Sequence, residues 1–179
     1  MYPNDEKKLA EARKVIATKA RDHARTPVQW TADENAGFCP PGVKPWMRVN
    51  DDYKTVNAAA QRKSSDDDLS VLQFWKRGLE NRKKHKDVFV YGDFHLLDKD
   101  NKHIFAYKRN SSKEAFVVVL NFTNKEVEWN ISADAKVEKW VTANYPGKLD
   151  MPTSGSLKLR PWEGLLGEYL CCFFLGNRC

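Results

Sequence analysis

The chain has 179 residues, 41% of them hydrophobic and 30% charged, which is about one domain's worth and excludes a low-hydrophobicity disordered chain. Apolar runs such as Ala115–Leu120 fall far short of the ~20 residues that span a bilayer. The formal net charge of +6 raises nucleic acid as a partner, but the 30 basic residues are interleaved with 24 acidic ones and no nucleic-acid motif accompanies them. The segment Met1–Lys8 has no apolar core of a signal peptide. Three of the four cysteines crowd into the last nine residues, which is no disulfide framework. The expectation is a soluble, cytoplasmic chain with no nucleic-acid and no membrane partner.

In chain order, residues 5–20 place Leu9, Ala12, Ile16 and Ala20 on one helical face, with Asn4 as the candidate N-cap. Residues 21–63 carry no sustained period. Pro27, Pro40, Pro41 and Pro45 break helices there, and Gly37 and Gly42 mark turns. A structureless loop of ~40 residues is unusual inside a compact domain and points to packing on something the chain lacks. Residues 66–86 read as the strongest helix. Ser64–Asp68 offer caps and negative charge at its start, Leu69, Leu72, Trp75 and Leu79 form an apolar stripe, and Arg82–Lys86 close the last turn, where the helix dipole favours cations.

From residue 87 the segments are short and β-rich. Candidate strands are 88–91, 94–97, 104–107, 116–122, 127–131, 137–142, 156–159 and 165–170, separated by Asp98-Lys99-Asp100-Asn101, Asn110-Ser111-Ser112, Tyr145-Pro146-Gly147 and similar turns. Eight such strands predict an antiparallel sandwich. Phe116–Leu120, apolar on both faces, is the expected central strand.

The sharpest local feature is Arg21-Asp22-His23-Ala24-Arg25-Thr26-Pro27-Val28-Gln29-Trp30. If its start is helical, Arg21 and Arg25 lie one turn apart on the same side. Two guanidinium forks together grip a carboxylate or a set of sugar hydroxyls. From spacing alone, two arginines four apart are usually solvated, so the residues by themselves reach only an anion or polyol clamp.

This run closely resembles the RDxARTPMQW signature of the α-glucosidases of glycoside hydrolase family 13, the maltases, isomaltases and oligo-1,6-glucosidases, with Val28 where the family usually has Met. The resemblance continues through Asn35-Ala36-Gly37-Phe38, Lys44-Pro45-Trp46, Val71-Leu72-Gln73-Phe74-Trp75-Lys76, Phe89-Val90-Tyr91-Gly92-Asp93-Phe94 and Leu159-Arg160-Pro161-Trp162-Glu163. It covers roughly residues 2–169 and is closest in style to fungal maltases and isomaltases.

The resemblance implies a mixed fold, the helical and loop tail of a (β/α)8 barrel followed by an antiparallel all-β C-terminal sandwich. Residues 1–86 would be the C-terminal remnant of the catalytic barrel, 87–169 the sandwich and 170–179 an atypical tail. Retaining glycosidases need two carboxylates ~5–5.5 Å apart, and the family supplies them upstream of the matched region. No catalytic residue is therefore expected in this chain. Arg21 and Arg25 match family arginines that reach into the sugar pocket, the Arg21 position helping to hold the non-reducing glucose and the Arg25 position lying nearby at the pocket rim, so they are the expected substrate-binding residues. The implied partners are α-glucosidic di- and oligosaccharides in the complete enzyme, together with the missing barrel portion of the same enzyme.

No cofactor and no metal are expected, since His23, His85, His95 and His103 show no ligand spacing with cysteines. Asp66-Asp67-Asp68 reads as a helix start rather than a catalytic cluster. Trp30, Phe38, Trp46 and Trp75 are expected to pack loop and helix against the barrel, and Trp129, Trp140 and Trp162 to serve as core or inter-domain contacts. The sequons at Asn110, Asn121 and Asn130 read as incidental. The alternative function is a stand-alone, non-catalytic carbohydrate-binding or regulatory β-domain.

Overall fold

A computed structural model describes residues 5–64, 70–132, 135–147 and 149–169, without the His23 side chain. The chain divides into two compact units between Lys63 and Ser64.

The first unit opens with α1, Glu6–Lys19. Its N-cap is Asp5 rather than Asn4: the backbone of Asp5 is extended, and its carboxylate accepts the Lys8 N–H at 3.0 Å. Ala20 ends the helix with extended backbone, and α1 buries none of its residues. The stretch expected to be structureless holds three 3₁₀ turns, Arg21–Ala24, Glu34–Gly37 and Asp51–Lys54, and a short helix α2, Ala58–Lys63. Asn57, only 4% exposed, starts α2 by accepting the Ala60 N–H at 2.8 Å and donating to the Tyr53 carbonyl at 2.9 Å.

The second unit begins with α3, Val71–Lys84, capped by Ser70, whose hydroxyl accepts the Gln73 N–H at 3.2 Å. Leu69 and the expected caps Ser65–Asp68 lie outside the described residues. The run Val88–Tyr91, expected as the first strand, is a correction. Its first half instead belongs to a helical turn, α4, Lys86–Phe89, and Val90 and Tyr91 follow as a turn and a bend. The Phe89 and Val90 N–H groups donate back to His85 and Lys86 at 2.9 and 3.0 Å. Arginines from two other elements satisfy the carbonyls left at its end: Arg82 Nη1 donates to Phe89 at 3.0 Å, and Arg109 donates to Val88 and Gly92 at 3.3 and 2.8 Å.

Among the described residues seven strands follow: β1 Asp93–Leu97, β2 Ile104–Asn110, β3 Ala115–Asn121, β4 Val127–Ile131, β5 Val137–Ala143, β6 Gly155–Leu159 and β7 Gly164–Tyr169. Five form a sheet in the order β1-β2-β3-β7-β5, and β4 pairs with β6 in a second sheet. Every pairing is antiparallel. As expected, β3 is the central strand, and it buries residues on both faces. Val117 and Val119 meet Trp129, Trp140, Leu157 and Leu159 in the core between the sheets. On the opposite face Phe116 lies under α4, its ring centroid 4.8 Å from Phe89 and 4.9 Å from His85. Trp129 and Trp140 are core residues as expected, and both indole N–H groups are satisfied, by Asp98 and by the Pro152 carbonyl. Trp162 is exposed.

The candidate sugar clamp and its support

The Arg21–Trp30 segment starts helical, but as a 3₁₀ turn rather than an α-helix. Three residues per turn rotate Arg25 away from the α-helical register that would stack it on Arg21. Arg25 ends the turn, its N–H donating to the Asp22 carbonyl at 3.0 Å. Its guanidinium lies 3.9 Å from the Asp22 carboxylate, with both side chains exposed. Arg21 is exposed, and no side-chain bond or ion pair joins it to another described residue. Asp22 is the partner that spacing arguments about arginines alone had passed over.

Below the turn the chain is fixed by backbone and amide bonds. Pro27 is buried and Gln29 is the hub. The Gln29 amide donates to the Asp52 carboxylate at 3.0 Å and to the Val56 carbonyl at 2.6 Å. The carbonyls of Gln29 and Trp30 accept the Ala58 and Ala59 N–H groups at 2.9 and 3.0 Å, taking up donors that the first turn of α2 leaves orphaned.

The motif Asn35-Ala36-Gly37 has an equally local reason. All three residues sit in the left-handed region, at φ 55°, 56° and 64°. This path brings the Ala36 carbonyl to both the Trp30 and Thr31 N–H groups, at 2.9 and 3.0 Å. Asn35 tolerates the conformation and donates its amide to the Pro40 and Val43 carbonyls at 3.2 and 2.9 Å. A Cβ at Gly37 would fall 2.6 Å from the Thr31 hydroxyl. Gln29, Asn35 and Asn57 are thus the supports that no periodicity could reveal.

Beside the turn lies a cleft of about 310 Å³ lined by Asp22, Thr26, Met47, Arg48, Asn50 and Asp51. The Asp51 carboxylate is hydrogen-bonded to Arg48 and holds that guanidinium above its ordinary pKa. Trp30, Phe38 and Trp46 are exposed in the same unit, and Trp75 is exposed on α3. The cluster Asp66–Asp68 lies outside the described residues. Among the described residues no group of three His, Cys, Asp or Glu side chains is placed to hold a metal, and no helix is long and apolar enough to cross a membrane.

Loop, helix and antiparallel sheets in this order define a class, the end of a barrel catalytic domain followed by a β domain. Residues 2–92 match the alpha amylase catalytic domain and residues 94–165 the maltogenic amylase C-terminal domain. The chain belongs to the alpha-amylase family, a family of glycoside hydrolases. It is 37% identical over 166 residues to an alpha-glucosidase of Saccharomyces cerevisiae, covering 91% of this chain and 27% of the relative. An oligo-1,6-glucosidase of the same yeast is 38% identical over 167 residues, with the same coverage. Among solved structures, trehalose-6-phosphate hydrolase of Bacillus licheniformis superposes with a TM-score of 0.76 at 32% identity, over 90% of this chain and 28% of that one. Isomaltulose synthase of Klebsiella superposes with a TM-score of 0.73 at 32% identity, over 84% and 26%. The chain spans about a quarter of the length of these relatives and is a fragment by comparison with them.

Proposed function

We propose that this chain is the C-terminal part of a retaining α-glucosidase that hydrolyses terminal α-linked glucose from maltose-, sucrose- or isomaltose-like oligosaccharides. Arg21 and Arg25 are its substrate-binding residues, and the chain alone lacks the catalytic carboxylates. The observation that carries this reading is the Arg21–Trp30 segment. Its lower half is locked by Gln29 and α2, while its upper half leaves the Arg21 guanidinium exposed and seats Arg25 on Asp22. Such an arrangement binds and orients. It offers guanidinium donors to sugar hydroxyls or to a pocket carboxylate, and it neither attacks nor transfers a proton.

In the complete enzyme, Arg21 would meet a carboxylate of the upstream barrel, and its removal would leave that buried charge unpaired. The cost is several kcal/mol, on the order of 3–5. The sandwich and helix boundary proposed at 86/87, and the cytoplasm as the site of action, belong to the same proposal.

The test joins this chain to the upstream three quarters of the yeast alpha-glucosidase, in place of the matching region. The fusion is expected to hydrolyse maltose-type substrates and release α-glucose first. Arg21→Ala is expected to abolish most of that activity. An active fusion in which Arg21→Ala hydrolyses at the unchanged rate would remove the site assignment.

A further inference from the structure

Strand β1 has two faces of different chemistry. Phe94 belongs to the side of α3, where its ring meets Tyr107 at 5.1 Å. Asp93, His95 and Leu97 alternate onto the other side, and Leu97 packs on the core between the sheets. Asp93 stands opposite Asn110, and His95 opposite Lys108, in the register with β2. This end of the sheet is polar. A cleft of about 700 Å³ opens there, lined by Tyr91, Asp93, His95, Asn110, Ser112 and Lys113 among others. Small-molecule sites occupy roughly 300–1,000 Å³. All of the lining residues belong to the second unit, whereas Arg21 belongs to the first.

The cleft is built on fixed backbone. Gly92 lies so close to β2 that a Cβ there would fall 2.4 Å from the Asn110 carbonyl oxygen, and its own carbonyl accepts from Arg109 at 2.8 Å. On that base the Tyr91 ring is 70% exposed. The Lys86 ammonium stands over one face of the ring, 5.3 Å from its centroid, and does not line the cleft, which leaves the other face to a ligand. The Asp93 carboxylate and the His95 ring make no hydrogen bond or ion pair with another described residue. Asn110 Oδ1 is buried and has no hydrogen-bond partner among the described residues, a state that folded proteins rarely keep without a reason. The Ser111 hydroxyl, in contrast, is engaged within the β2–β3 turn, where it accepts the Lys113 and Glu114 N–H groups at 3.2 and 3.0 Å.

Acceptors dominate what is free. An ionised Asp93 and the amide oxygen of Asn110 accept hydrogen bonds and donate none, so the ligand must bring donors. An anion would face the Asp87 and Asp93 carboxylates with Lys113 against them, and Lys113 already lies 3.9 Å from Asp87. A cation would join the Lys86 and Lys113 ammoniums already beside the cleft. Among the described residues no three His, Cys, Asp or Glu side chains gather to hold a metal. A pyranose ring fits both halves of the site. Its C–H face lies on an aromatic ring, and the hydroxyls on its rim donate to carboxylate and amide oxygens. We propose that this cleft is a non-catalytic saccharide site, in which Tyr91 carries the face of a glucosyl unit while Asp93 and Asn110 accept its hydroxyls. The choice of α-linked glucose rests on the α-glucosidase reading, and the site itself rests on the residues of the cleft.

The test titrates the full 179-residue chain, labelled with ¹⁵N, with maltotriose. Saturable shifts are expected at the backbone amides of residues 91–95 and 110–113. Tyr91→Ala and, separately, Asp93→Ala are expected to weaken binding at least about fivefold, with the unfolding midpoint within a few degrees of wild type. Asn110→Ala is expected to weaken binding without lowering the midpoint, because the oxygen it removes has no partner to lose. Lys158→Ala, an exposed change on the two-stranded sheet, is expected to leave binding unchanged. Absence of saturable shifts, shifts confined to other residues, or wild-type affinity in the folded Tyr91 and Asp93 variants overturns the proposal. A response of the same amides to phosphate or to spermidine at lower concentration than to maltotriose overturns the ligand class. Hydrolysis by the fusion carrying Arg21→Ala does not depend on this cleft, so the α-glucosidase reading stands or falls separately.

Discussion

Asn121 heads a sequon, yet it is 3% exposed and works as a structural clamp. Its amide nitrogen donates to the Lys125 and Arg160 carbonyls at 2.8 Å each, and its oxygen accepts the Thr123 N–H and hydroxyl at 2.9 and 2.8 Å. It ties the β3–β4 turn to the end of β6. The substitution Asn121→Asp keeps the shape and the acceptor bonds but replaces the donor with a carboxylate oxygen facing two carbonyls. Two neutral hydrogen bonds are lost, at about 1 kcal/mol net each. A buried charge without a cation adds roughly 1–3 kcal/mol. The expected loss at neutral pH is about 3–5 kcal/mol, which lowers the unfolding temperature by roughly 10–20 °C.

The sign of its pH dependence follows. Burial and the facing carbonyls raise the folded-state pKa of the introduced carboxyl above the unfolded value of about 3.9. The deficit relative to wild type is therefore smallest in acid, where the protonated group donates one bond. It grows as pH rises through the folded pKa and is constant above it. Urea unfolding of both proteins at pH 7 and at pH 4, followed by the near-ultraviolet signal of buried Trp129 and Trp140, measures it. A deficit under about 1 kcal/mol at pH 7, or one equal at both pH values, would refute the reasoning.

Other outcomes follow from the same geometry. Leu157→Ala removes a fully buried side chain from the core between the sheets and should cost about 2–5 kcal/mol in urea unfolding. Gly92→Ala would set a Cβ 2.4 Å from the Asn110 carbonyl oxygen and 2.6 Å from that of Val88, so backbone must move; a thermal midpoint several degrees below wild type is expected. Glu163, 3% exposed, accepts the Arg160 N–H at 2.7 Å and its guanidinium, so Glu163→Ala should destabilise by about 1–3 kcal/mol, most of it from the orphaned backbone donor. In the fusion with the upstream barrel, Arg21→Ala should remove most hydrolysis without moving the unfolding midpoint of the β domain.

The strands after residue 93 were legible because alternating apolar residues and turn signals agree there with the pairing, and Val127–Ile131 falls on its strand at both ends. Val88–Tyr91 was misread because β-branched and aromatic residues favour strands, while the arginines that cap α4 come from positions 82 and 109, invisible to a local pattern. The helix α2 escaped because Ala58–Lys63 has no apolar period; its signal was Asn57, a capping residue whose partner Tyr53 lies in a 3₁₀ turn. The proposed sugar clamp rests on the motif alone. Spacing put Arg21 and Arg25 on one helical face, whereas the 3₁₀ turn gives Arg25 to Asp22. Leu72, Trp75 and Leu79 of the expected apolar stripe are exposed on α3, while Leu69 lies outside the described residues; on the proposed reading their partners belong to the rest of a barrel.

The most direct measurement is the size and α-glucosidase activity of the native protein, captured from source cells with an antibody against residues 93–169. The account predicts a band several hundred residues larger than this chain that hydrolyses a maltose-type substrate with retention of configuration. A captured band at 20.6 kDa without hydrolytic activity would contradict it.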